Sequence, residues 1–144
     1  MTKTHQNINR IVIHCSDTPE GRPHDKWDID RWHKERGFDQ IGYHYVILLD
    51  GSIEKGRQEH EVGAHVRGHN SGSLGICYIG GKDAKTLKPK DTRTPEQVEA
   101  LKKLCVELAK KYPSATFCGH RDLDKGKECP CFDVKSFIKE SGIA

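Results

Sequence analysis

Thr94-Pro95-Glu96-Gln97 limits the fold of this chain more than any other segment. Thr at the N-cap, Pro at the first helical position and Gln three residues after the cap form a capping box. Val98, Leu101, Leu104, Cys105, Leu108 and Ala109 follow at helical spacing and make one apolar stripe, which ends before Pro113. A helix with one apolar face needs a second layer to cover it. Short apolar runs supply that layer. Ile11-Val12-Ile13 is β-branched and reads as a buried strand. Gly42 to Leu49 reads as a second strand, turned by Asp50-Gly51 into an antiparallel return over Ser52 to Gly56. Leu74 to Ile79 and Thr116 to Cys118 are two more. Asp28 to Gly37 is expected to be helical, with Ile29, Trp32 and His33 on one face. A short helix from Phe132 to Glu140 closes the chain. The His- and Gly-rich stretch from Glu59 to Ser73 has little periodicity and reads as a binding loop. The expectation is α/β: a mixed central β-sheet flanked by helices, in a single domain over residues 1–144.

Bulk properties narrow the function. The 144 residues fit one domain. The net charge of +3 comes with no Lys/Arg stripe, which argues against nucleic acid. No apolar run approaches the roughly 20 residues of a membrane span. The first ten residues lack the apolar core of a secretory signal, so the chain is expected to be made in the cytoplasm. Six cysteines in such a chain read as thiols rather than disulfides. A monomer is expected.

Two histidines occupy unusual places. His14 and His120 each stand at the C-terminal end of a strand, where the chain enters a polar loop. Cys129 follows His120 by nine residues, in a loop fixed by Pro130. Two imidazoles and one thiolate match a catalytic zinc site, with three protein ligands and one open position. Spacing alone cannot bring the two strands together, and with nine histidines in the chain any one at a strand end is by itself more often structural or merely exposed. Cys131 competes with Cys129, although the Cys-x-Cys spacing turns the two thiols to opposite sides.

Taken in order, Ile13-His14-Cys15-Ser16, Trp32-His33-Lys34, Gly42-Tyr43-His44-Tyr45, Val62-Gly63-Ala64-His65, Gly68-His69-Asn70, Ser73-Leu74-Gly75-Ile76, Thr94-Pro95-Glu96-Gln97 and Lys127-Glu128-Cys129-Pro130-Cys131-Phe132-Asp133 resemble the type 2 N-acetylmuramoyl-L-alanine amidases. That family includes small phage lysozyme-amidases and animal peptidoglycan recognition proteins. The resemblance spans about Ile11 to Phe137. It implies one zinc ion per chain on His14, His120 and Cys129, with Tyr43 and Lys127 as catalytic residues. It places His65 and Asn70 in a substrate-lining loop. Arg121, beside His120, is a candidate for a substrate carboxylate, or pairs with Asp122 or Asp124 instead. Asp133 and Ser16 are candidates to orient the zinc ligands. The implied reaction is hydrolysis of the amide between N-acetylmuramic acid and L-alanine, on peptidoglycan or a muropeptide. A phage or prophage endolysin, acting on the cell wall after release from the cytoplasm, fits this chain. A non-cutting recognition module, a regulator of a cytosolic partner and a muropeptide hydrolase are the alternatives. Cys131 departs from the serine common in phage-type members.

Overall fold

Ile11, Val12 and Ile13 are each fully buried, which requires cover on both faces of the strand they form. A computed structural model describes residues 7–143 and shows how that cover is built. In chain order the elements are β1 (Arg10–Cys15), β2 (Thr18–Pro19), α1 (Lys26–Glu35), β3 (Tyr45–Ile47), β4 (Ile53–Lys55), β5 (Ser73–Tyr78) and β6 (Gly81–Lys82). They continue with α2 (Pro95–Lys111), β7 (Thr116–Gly119), α3 (His120–Leu123) and α4 (Val134–Glu140).

The five-stranded sheet has the order β4-β3-β5-β1-β7. β1 runs parallel to β5 and β7, β3 runs parallel to β5, and only β4 is antiparallel. This is the expected mixed sheet flanked by helices. A separate parallel pair, β2 with β6, was not visible in the sequence.

Strand alternation divides the side chains between two layers. Ile11, Ile13, Tyr45, Ile47, Leu74, Ile76 and Tyr78 pack against Leu101, Leu104, Cys105 and Leu108 of α2 and Val134, Phe137 and Ile138 of α4. On the opposite face Val46, Cys77 and Ile79 meet Ile29 of α1, while Val12 and Cys118 meet Val66. His14 follows Val12 by two residues and shares its face, so the histidine enters the layer that holds α1 and the Glu59–Ser73 loop. It sits opposite Cys77 in the parallel register.

The helix starts explain themselves locally. Thr94 Oγ1 accepts from Gln97 N at 3.0 Å, and Gln97 Oε1 accepts from Thr94 N at 2.9 Å. Gln97 is completely buried, and its Nε2 donates to Ile47 O at 3.2 Å and Ile79 O at 3.0 Å. One side chain thus caps α2 and ties it to the ends of two strands. α1 begins at Lys26, earlier than the expected Asp28, because Asp25 caps it by accepting from Trp27 N and Asp28 N. The second strand is shorter than expected. Its first residue is drawn off the ladder, since Gly42 N donates to His33 Nδ1 at 2.9 Å and Gly42 O accepts from Ala64 N at 3.0 Å. The last helix starts at Val134, capped by Asp133, rather than at Phe132.

At the sheet edge β4 is only three residues long. Its Lys55 carbonyl accepts from Lys26 Nζ at 3.0 Å, and its Glu54 carboxylate accepts from Lys26 N at 2.8 Å.

Candidate metal centre

β1 delivers His14 to the site with no solvent exposure. His120 opens α3 directly after β7, whose Gly119 pairs with Ile13 of β1, so the neighbouring strands carry the two histidines to one place. Their Nδ1 atoms face each other at 3.2 Å. Cys129 arrives from the loop before α4, which is held at three points. Arg121 N donates to Cys129 O at 2.7 Å, Tyr78 Oη donates to Pro130 O at 2.7 Å, and Cys15 N donates to Cys129 Sγ at 3.1 Å. The Cys129–Pro130 peptide is cis. One ligand atom from each of His14, His120 and Cys129 lies within 4.8 Å of the other two.

These residues fit a zinc ion. Two Zn–N bonds at a tetrahedral angle set the nitrogens roughly 3.3 Å apart, close to the separation of the two Nδ1 atoms. Burial, reinforced by His65 and His120, drives the His14 pKa well below its ordinary value. Burial also lowers the His120 pKa, with Lys127 adding to the effect and Asp124 opposing it. Both rings therefore stay neutral, which is the ligating form.

Beside this cluster lies a groove of about 650 Å³ lined by Tyr43, His65, Asn70, His120 and Lys127 among others. Tyr43 packs its ring 5.0 Å from that of His14 and 5.4 Å from that of His33. Burial raises the Tyr43 pKa well above its usual value, so the phenol stays protonated. Lys127 is exposed at the rim. Asn70 is both groove wall and loop clamp: its Oδ1 accepts from His65 N and Val66 N, each at 2.8 Å. Arg121 is not among the lining residues. Its charge helps keep the Asp133 carboxyl below the usual range, after the larger effect of Ser136. A larger depression of about 1100 Å³ runs along α2 but contains no histidine or cysteine.

Comparison with known proteins agrees with this geometry. The model of the N-acetylmuramoyl-L-alanine amidase family matches residues 4–132. The chain belongs to that family. It is 43% identical over 138 residues to an endolysin of Klebsiella phage KP32, covering 96% of this chain and 90% of the relative. The N-acetylmuramoyl-L-alanine amidase LysC from Clostridium intestinale superimposes with a TM-score of 0.80 at 29% identity, over 99% of this chain and 90% of that one. A mutant of Drosophila PGRP-LB in complex with tracheal cytotoxin gives a TM-score of 0.76 at 26% identity, over 96% and 83%.

Within this amidase fold, two expectations about ligand support are corrected. Asp133 caps α4, accepting from Ser136 N at 3.2 Å and Ser136 Oγ at 2.9 Å. Ser16 Oγ bonds Thr18 Oγ1 and accepts from Gly80 N. Neither touches a candidate ligand. The neighbours of the candidate ligands are instead His65, whose Nδ1 lies 2.9 Å from His14 Nε2, and the Cys15 amide on Cys129. The groove also holds Arg36, Phe38 and Arg67, which sequence reading missed. Arg36 and Phe38 follow the end of α1 in a stretch with no periodic pattern, so nothing in the sequence directs them inward.

Proposed function

We propose that this chain is a zinc-dependent N-acetylmuramoyl-L-alanine amidase, one zinc per chain, which cuts peptidoglycan as a phage or prophage endolysin. The observation that carries this reading is the convergence of His14, His120 and Cys129 beside the groove, whose wall includes His120. When bound there, zinc supplies Lewis acidity and lowers the pKa of water toward neutrality. The protein's own groups do the rest. Lys127 offers a positive charge at the rim for the oxyanion that develops on the lactyl-alanine carbonyl. Tyr43, kept protonated by burial, orients the attacking water or passes a proton to the leaving amine. Asn70 holds the loop that forms one wall. Amidase-family membership and the KP32 endolysin support the wall-lytic setting. No helix among the described residues is long and apolar enough to cross a membrane. In the endolysin reading, the chain is made in the cytoplasm and meets the wall after release.

Purified peptidoglycan provides the test. The chain should release free L-alanine N-termini, a chelator should stop the release, and Cys129→Ala should lower it by at least about 100-fold. Zinc stoichiometry near one per chain should fall with the same substitution. Zinc binding without cleavage of any wall type would favour a recognition module or a muropeptide hydrolase.

A further inference from the structure

His65 is built into the fold more firmly than a groove-wall residue requires. Its ring is about nine-tenths buried. A Cβ on Gly75 would stand 2.8 Å from His65 Cγ and 2.9 Å from its Nδ1, and a Cβ on Gly63 would stand 2.6 Å from its Cδ2. The imidazole therefore lies between two glycines that leave it room and no more. Asn70 clamps the backbone under it by accepting from His65 N and Val66 N. His44 braces the same seat from below. Its Nδ1 accepts from Gly75 N at 3.0 Å, so its Nε2 carries the proton and donates to Glu61 O at 2.8 Å. All of this machinery points one atom, His65 Nδ1, at His14 Nε2, 2.9 Å away.

Tautomer logic gives that contact a direction. His14 Nδ1 faces His120 Nδ1, the side where the metal ligands converge. A ligating Nδ1 carries no proton, so the His14 proton sits on Nε2 and points at His65. His65 must then accept through an unprotonated Nδ1. His65 is therefore neutral, with its own proton on Nε2. That nitrogen is buried and has no partner in hydrogen-bonding geometry among the described residues.

We infer that His65 is a positioning residue for zinc: it accepts the Nε2 proton of His14, and so fixes both the tautomer and the ring plane that present His14 Nδ1 to the metal. The inference rests on the zinc reading above and gives His65 a role separate from substrate contact. It also accounts for Gly63 and Gly75, which the reaction itself does not use.

Zinc affinity, measured without substrate by competition against a chromogenic chelator, is the readout. The parent chain should bind one zinc. His65→Ala should weaken binding by roughly 10- to 100-fold, the usual cost of losing a residue that orients a metal ligand. His65→Asn, whose Oδ1 takes the place of Nδ1, should recover most of it. A residue that only touches substrate would leave zinc affinity unchanged. Nitrogen-15 NMR of the unmodified zinc-loaded protein gives an answer that does not depend on any variant folding. The His14 proton should be on Nε2, with scalar coupling across the hydrogen bond to His65 Nδ1. Unchanged affinity in His65→Ala, no recovery in His65→Asn, or a His14 ring without a proton on Nε2 would each overturn the inference while leaving the metal reading intact. A parent chain that binds no zinc would overturn the metal reading, and the inference with it.

Discussion

Individual residues decide the chemistry here, and burial decides their charge. His33 is pushed down to about 4 by burial, with help from Arg36 and Arg57, and His65 to about 3. A histidine whose folded pKa lies below its unfolded value stabilises the fold when neutral. That stability is present above the unfolded pKa of about 6.5 and is lost as pH falls toward the folded values. Metal-free protein should therefore unfold at steadily lower urea concentration as pH drops from about 7 to 4. A midpoint that stays flat across this window would contradict the assignment of neutral, buried rings. At Tyr43, replacement by Phe keeps the packing against His14 and removes only the hydroxyl. It should lower kcat by roughly 100-fold with little change in KM or in zinc content, as measured on soluble muropeptide. His14 and His120 could be picked as candidate ligands because each sits at a strand end; Cys129 stands in a loop, and it was the resemblance to the amidases, not spacing, that joined the three. His65 as partner of His14 could not, because the two are 51 positions apart and only the packing of a loop on the sheet brings them together.

Among the elements, α2 was legible almost to the residue, since capping chemistry and the apolar stripe are both local. What could not be read is the second use of Gln97. Its Nε2 reaches carbonyls at Ile47 and Ile79, partners set by tertiary packing. Gln97→Leu would leave both carbonyls buried without their donor and remove half the capping box. The expected loss is about 3 kcal/mol in chemical denaturation, far more than an ordinary helix-cap change. α1 was misplaced at its start because Asp25 and Asp28 form a capping box from two aspartates, where the usual pattern ends in Glu or Gln. α3, only four residues long, has too little sequence to show a period. The β2–β6 pair is two residues per strand and equally invisible.

For the molecule as a whole, the sequence predicted the mixed sheet and its helical cover, while strand order had to come from the structure. Nothing local says that β1 lies between β5 and β7, yet that placement is what brings His14 beside His120. The three proposed ligands are drawn from both ends of the chain, with 106 positions between His14 and His120. Zinc that binds only the folded form would raise stability by about 4 kcal/mol at a thousand-fold excess over its Kd. For a chain this size, that corresponds to a Tm higher by roughly 10 °C. Calorimetry with zinc and with chelator should show the difference, and Cys129→Ala should abolish it.

The short edge strand β4 has a consequence for behaviour at high concentration. An open sheet edge is a template on which a second chain can add a strand. Here the edge offers three residues, two of them charged, and a lysine from α1 already occupies one of its carbonyls. A neighbouring copy finds too few free backbone groups in a row to begin a shared sheet along β4. Crowding of this protein should therefore not lead to edge-to-edge assembly there.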